Sequence, residues 1–439
     1  MNATAPLRHP SNPVAHALPW RIAPPLLSTA LAYLGTGVLG SLLPLRFSAL
    51  GLTPGAIGLT ATAEALGFLI GCLNAHRLIA PVGLERAYAA FAALKAVAVL
   101  ALIFAVGAPW LALIRFLFGF NAAGMSVIVE SWLNALVPNA QRGRVLTVYV
   151  LVIGLFYGAG QLLARNLNVR APEFLVFAGI MTTLALVPMA GIDVKGPTMP
   201  HAAAIRVLNA LRTSPVSVLA CLLNGLILTA FTTVGPLFGE RIGFEQSQIV
   251  LLMSCLSFGS LLLQWPIGYI SDKIDRLYAL IALGAITLAI ATALATVNRD
   301  TPFPVLALLF AGFGGFAESL YAVGVAHAND RAPSTDYVAL SSTLLFVWSI
   351  GGVVGPTTGT LAIQLTTASA FFVYAMILTF AFTLFAVWRL SRRRVERPLE
   401  TREEFITYPQ TSPAIYDWLP YHKELPHEPA PPEAPTPPR

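Results

Sequence analysis

Five ionisable side chains stand alone inside long apolar runs of this sequence: Glu64, Lys95, Arg115, Glu130 and Glu318. A charge in such surroundings is expensive unless it is paired or reaches water. A glutamate so placed can take up and release protons, and a lysine or arginine can hold a carboxylate. Together they suit ion pairs that form and break as protons move. Bond-cleaving chemistry has no foothold: there is no His-Glu-x-x-His, no Gly-x-Ser-x-Gly and no His/Asp cluster. Cys72, Cys221 and Cys255 lie singly in apolar runs, without disulfide or metal spacing, and read as packing residues. Gly35, Gly37 and Gly40 spell Gly-x-Gly-x-x-Gly, but inside an apolar helix with no strand before it, so no nucleotide site follows. The expectation is no catalytic residue, no metal and no cofactor.

Polar residues elsewhere are fewer and more equivocal. Gln161 and Asn224 sit in apolar runs, where they could bond a solute or simply a neighbouring helix. Glu318 and His327 share one run but lie nine residues apart, on nearly opposite helix faces. Glu318 is the candidate cavity carboxyl. Glu130 is followed by Arg142 and Arg144 after a proline-containing turn, and both arginines could fold back on it. Gly268, Asp272, Lys273 and Arg276 form a charged turn between two apolar runs.

The elements that carry these residues are set by composition. Of 439 residues, 56% are hydrophobic and only 11% charged, and mean hydropathy is +0.71. Soluble domains carry about 25% charged residues, so a soluble protein is excluded. The net charge of +6 comes from basic residues in short loops, the pattern of membrane topology and not of a nucleic-acid face. A spanning helix needs about 20 apolar residues. Twelve runs qualify: 24–46, 56–75, 87–107, 110–133, 144–165, 172–191, 215–238, 246–270, 277–297, 303–328, 338–364 and 368–389.

The expected organisation is a cytoplasmic segment 1–23, a six-helix bundle 24–191, a cytoplasmic connector 192–214, a second bundle 215–390 and a disordered cytoplasmic tail 391–439. Ile205 to Arg212 could form a short surface helix. Residues 1–25 lack the apolar stretch of a cleaved signal. With the N-terminus inside, seventeen loop Lys and Arg fall on the cytoplasmic side and five on the other. That bias places both termini in the cytoplasm.

Depth then suggests partners. Counted at about 1.5 Å per residue, Glu64 and Arg115 lie at similar depth below the non-cytoplasmic surface. Lys95, mid-way along the third span, could pair with Glu64 or reach a wet crevice.

The two halves echo each other. Gly268 to Arg276 (GYISDKIDR) matches His76 to Arg86 at an offset of 192, and Gly154 to Gly160 (GLFYGAG) matches Gly351 to Gly359 (GGVVGPTTG) at 197. A duplicated six-helix unit follows. Twelve spans with Gly-x-x-x-Asp-Lys-x-x-Arg after the eighth resemble the major facilitator superfamily. VIVESWLNALVPNAQRGR, QWPIGYISDKIDR and GVVGP more narrowly resemble its YcaD-type bacterial branch.

The resemblance implies a transporter. It implies that Asp272 with its basic neighbours, and Glu130 with Arg142 and Arg144, act as cytoplasmic gates. It implies proton transfer at Arg115, whose spacing to Gly119 matches the fourth-span motif, and a helix kink at Gly351, Gly355 and Pro356. Glu64 is not part of that pattern.

The reading is an all-α membrane protein, a monomeric secondary transporter of the bacterial inner membrane. It would move a small organic solute by alternating access. No P-loop supplies ATP, so the energy would come from an ion gradient, the solute gradient or a separate subunit, with the proton gradient as the expected source. The competing classes are a membrane sensor that keeps the fold without transport, and a polytopic membrane enzyme.

Overall fold

The computed structural model describes residues 13–104, 107–137, 141–191, 205–333, 336–392 and 410–412, with the side chains of the first helix given from Trp20 onward. Among them there is no strand. Twelve helices are long and apolar enough to cross a membrane. The first bundle holds α1 (Pro13–Ala49), α2 (Pro54–Ile79), α3 (Leu84–Ala101), α4 (Ala108–Leu136), α5 (Arg142–Ala164) and α6 (Glu173–Leu184, continued by Leu186–Ala190). The second holds α7 (Pro215–Arg241), α8 (Gln246–Lys273), α9 (Arg276–Ala295), α10 (Phe303–Asn329), α11 (Tyr337–Leu365) and α12 (Ala370–Ser391). With an even number of crossings, α1 starts and α12 ends on one face, here the termini face. The opposite one is the far face.

Local chemistry starts the helices where the apolar runs predict. Thr53 accepts the Ala56 N–H and Pro54 follows it, opening α2. Glu245 and Gln248 make a reciprocal capping box at α8. Gly83 and Gly107 precede α3 and α4 with φ of 84° and 103°, a backbone region that side-chain-bearing residues avoid. One boundary differs from the expectation: α1 begins at Pro13, ahead of the apolar run at residue 24. In the connector, Val207–Thr213 is helical, and the Arg206 N–H just before it bonds Thr343 Oγ1 of α11 at 3.0 Å. Residues 192–204 of the connector lie outside the described residues.

Each helix pairing in the first bundle returns six helices later. The contacts α1–α5, α2–α4, α3–α4, α1–α6 and α3–α6 become α7–α11, α8–α10, α9–α10, α7–α12 and α9–α12. Glycines set the closest approaches. A Cβ added at Gly119 would run into the Glu64 carbonyl oxygen, and one at Gly67 into that of Phe116. In the second bundle Gly314 meets Leu256 and Gly259 meets Ala311 in the same way. Likewise Gly37 abuts Tyr157 and Gly160 abuts Leu34, as Gly225 abuts Trp348 and Gly351 abuts Leu222. Such contacts let backbones meet where lipid offers no hydrophobic drive to hold helices together. The equivalence Gly67 to Gly259 is 192 residues, the offset of the charged-turn echo. The other echo shifts: Gly351 corresponds to Gly160 at 191, not to Gly154 at 197. The structural contacts, not the letters, fix that register.

Between the bundles, α2 packs on α11, α5 on α8 and α1 on α7. Direct hydrogen bonds gather in the half nearer the far face. Thr62 Oγ1 bonds Val353 O at 2.6 Å and Thr357 Oγ1 at 2.8 Å, and the Gly55 N–H reaches Gln364 Oε1 at 2.7 Å. Ser257 donates to Gln161 Oε1 at 2.6 Å. Exposed leucines such as Leu262, Leu308 and Leu384 lie outward, as lipid-facing positions require.

Candidate functional site

A cavity of about 320 Å³ lies between the bundles. Its wall is built mainly from α1 to α5, with α7 and α11 closing the other side. Glu64, Lys95 and Arg115 all line it. The Gly119–Glu64 backbone contact brings α2 and α4 together at this level, and one turn before Gly119 the Arg115 guanidinium forms an ion pair with Glu64. Pairing lowers the cost of taking both charges out of water. Arg115 keeps its Nε buried without a hydrogen-bond partner.

Lys95 is 4% exposed and does not pair with Glu64. Its ammonium donates to Thr36 Oγ1 at 3.3 Å and sits 4.8 Å from the centre of the Phe118 ring, which also lies 5.5 Å from the Arg115 guanidinium. Thr36 and Phe118 were not legible as site residues; each reads as an ordinary helix residue.

The second bundle has no counterpart to the ion pair. The packing equivalence puts Leu256 at the place of Glu64, and Phe310 occupies that of Arg115 (310 − 115 = 195, the Gly119 to Gly314 offset). Phe310 packs edge-to-face against Phe231, 5.0 Å away, in a group with Phe313 at 4.9 Å and Phe371 at 5.6 Å from the same ring. Phenylalanine thus fills the space that the first bundle leaves open, and the cavity is one-sided.

Other candidates separate. Glu318 accepts from the Gln410 side chain at 2.8 Å and does not line the cavity. Asn224 donates to Ala317 O and accepts from Trp348 Nε1, both at 2.7 Å, tying α7, α10 and α11. Gln161 ties α5 to α8 through Ser257 and leaves its Nε2 buried without a partner. These two are helix ties in this conformation.

Glu130 is fully buried, and the folding back of Arg142 and Arg144 onto it is not what the structure shows. No ion pair joins them to it among the described residues, and Arg144 is exposed. Three hydroxyls serve it instead: Tyr149 at 3.1 Å, and Thr411 and Ser412 from the C-terminal segment. Hydroxyls satisfy a buried carboxyl without importing another desolvated charge. The same segment corrects the expectation of a wholly disordered tail. Thr411 is 5% exposed, Ser412 is fully buried, and Cys72 Sγ lies 3.6 Å from the Thr411 carbonyl. Residues 393–409 and 413–439 lie outside the described residues.

The charged turn ties three helices of one bundle. Arg276 reaches Asp272 Oδ1 at 2.9 Å, Asp330 Oδ1 at 2.6 Å and the Ala326 carbonyl at 3.0 Å. Asp275 caps α9 through the Leu277 N–H, and Gly268 O accepts from Ser271. Lys273 turns away to the Tyr269 ring, 4.1 Å from its centre. In α11, Gly351 and Gly355 sit against the backbone of α7, and the helix runs through Pro356 from Tyr337 to Leu365 without a break.

Two six-helix bundles of equivalent packing around a central cavity define a membrane transport protein. The Major Facilitator Superfamily profile matches residues 26–315 and again 242–431, so the chain belongs to that superfamily. It is 26% identical over 368 residues to the uncharacterized MFS-type transporter YcaD of Salmonella typhimurium (strain LT2), covering 82% of this chain and 93% of that one. An uncharacterized MFS-type transporter of Enterobacter sp. (strain 638) is 27% identical over 384 residues, covering 85% and 96%. Among solved structures, a mutant form of the nucleoside transporter NupG superposes with a TM-score of 0.71 at 11% identity, covering 84% of this chain and 99% of that one. A bacterial homolog of the human lysosomal transporter Spinster, inward-facing and unoccupied, gives 0.69 at 14%, covering 89% and 100%.

Proposed function

We propose that this protein is a proton-coupled secondary transporter that moves a small organic solute across the bacterial cytoplasmic membrane, with both termini inside. The observation that carries this reading is the Arg115–Glu64 ion pair in the wall of a cavity shared by two bundles. Protonating Glu64 would release Arg115, and that exchange couples a proton to the state of the cavity wall. Alternating access follows from rocking the bundles against each other at α2–α11 and α5–α8. The bonds near the far face close that side, as in an inward-facing state, the state in which the Spinster-type neighbour was solved, while Gln410–Ser412 cover the termini side. Asp272 and Arg276 with Asp330, and Glu130 with Thr411 and Ser412, are proposed as the cytoplasmic gate, and Gly351, Gly355 and Pro356 as the flexing point of α11. Glu318, which accepts from the cavity-lining Gln410, is the second coupling candidate. The carrier works as a monomer.

The test uses proteoliposomes with an internal pH dye, an imposed proton gradient and a panel of organic solutes. Wild type is expected to show solute-dependent proton flux, and Glu64→Gln to lose it by about tenfold or more, the scale of one missing acid–base group. Flux that survives Glu64→Gln but not Glu318→Gln moves the coupling site to α10. A panel without any flux sinks the carrier reading in favour of a sensor.

A further inference from the structure

We propose that the cavity is built for an organic monoanion, an apolar aromatic body bearing one carboxylate, with Lys95 as its anchoring cation. This rests on the transport reading and names its substrate class. Lys95 is almost fully buried, yet no carboxylate lies within ion-pair distance of it among the described residues. Glu64 is committed to Arg115. An ammonium has three donors, and the structure pairs Lys95 with one neutral hydroxyl. A buried cation so served is poorly compensated until an anion arrives.

Among the described residues the wall holds two cations and one carboxylate, so with Glu64 ionised a single negative charge balances it. A dianion would overshoot, and a cationic solute would face Lys95 across a cavity of low polarity. Tyr33, Phe68, Phe118, Tyr157 and Trp348 supply ring faces and edges for an aromatic body. At about 320 Å³ the cavity is at the small end of ligand sites, which run from about 300 to 1,000 Å³.

The test measures ligand-induced shifts in melting temperature of the full-length protein in detergent. Three matched series are titrated: benzoate, phenylacetate and indole-3-acetate; their carboxamides; and benzylamine, phenethylamine and tryptamine. At least one carboxylate should act at a concentration about tenfold or more below its amide, the factor that separates a paired from an unpaired buried charge. Lys95→Met should abolish that preference and leave the amide curve in place, which also reports an intact fold. Lys95→Arg should restore part of it. Amides or amines acting as well as carboxylates, a series in which no carboxylate acts, or a preference that survives Lys95→Met each overturns the proposal. Binding needs no flux, so carboxylate binding without proton-linked transport removes the transport reading alone. Flux of neutral solutes without carboxylate preference removes this inference alone.

A second, independent observation concerns the termini face. Gln410 bonds Glu318 of the second bundle, while Thr411 and Ser412 bond Glu130 of the first and Cys72 of α2 lies beneath them. From this, and from Gln410 lining the cavity, we infer that Gln410–Ser412 form a plug that must leave before the cavity opens to that face. Native Cys72 reports on it. In the full chain, the double substitution Thr411→Asp with Ser412→Asp sets carboxylates against Glu130 and should expel the segment. Modification of Cys72 by a charged maleimide should then quicken about tenfold or more, given that about 1.4 kcal/mol is a tenfold change in population. Cys221, fully buried within the second bundle, should stay unreactive and so report folding. A Cys72 rate that does not change in the double variant overturns the plug. So does quickening that is matched at Cys221.

Discussion

Arg276 is 2% exposed and holds the carboxylates of Asp272 and Asp330 while bonding the Ala326 carbonyl. Removing one partner of a buried ion pair strands the others, at a cost of about 3–5 kcal/mol. Asp272 is partly exposed, so the lower end applies, about 3 kcal/mol. Arg276→Met should lower thermal stability by that amount, and Asp330→Asn in the same chain should return part of it. Lys273→Met should change it by less than about 0.5 kcal/mol. Thermal exposure of Cys221 to a thiol dye, in a chain with Cys72→Ser and Cys255→Ser, measures all three. Equal losses from Arg276→Met and Lys273→Met would refute the assignment. The charged turn was legible because its aspartate, lysine and arginine are rare residues between two apolar runs. Helix periodicity played no part, since Asp272 lies at the end of α8 and Arg276 opens α9. Glu64 and Arg115 were legible by depth. The partners of Glu130 were not: the two that matter lie 281 and 282 residues downstream in a polar, proline-rich stretch. No periodicity links such distant positions. Lys95 was legible as an anomaly, but its place in the wall depends on how α3 rotates against α1 and α4, which a uniformly apolar run leaves unspecified.

At the scale of helices, the paired glycines are the tightest constraint in the molecule. Gly119 and Gly314 each rest a helix against a neighbouring carbonyl oxygen. Valine at either place would overpack the crossing, with a loss of about 1–3 kcal/mol. Gly119→Val and Gly314→Val should therefore cost similar stability, since the two crossings are equivalent. Gly143→Ala, where nothing lies within 4 Å, should be neutral or slightly stabilising. The dye assay checks this, and a neutral Gly314→Val would break the equivalence. The twelve spans were legible because each needs only length and apolarity. The extension of α1 to Pro13 was not, because prolines near its start read as helix breakers. The repeat was legible at the charged turn, where rare residues anchor the comparison. It slipped along α5 and α11, where glycines recur too often to fix a register.

At the scale of the whole chain, composition and motifs were sufficient for the fold, because a bilayer admits few solutions for so apolar a sequence. The one-sidedness of the cavity was hidden, since it arises from phenylalanines filling the second bundle opposite an ion pair in the first. Lys95 gives that one-sidedness an electrical consequence. If the bundles rock as proposed with Glu64 ionised, the two cations and one carboxylate among the described wall residues leave the unloaded cavity with one excess positive charge. A bound monoanion cancels it. Membrane voltage would then act on the unloaded swing and leave a swing loaded with the anion alone almost untouched, while a proton on Glu64 would add one positive charge to either. The work available is about 2.3 kcal/mol per 100 mV for a charge carried fully across.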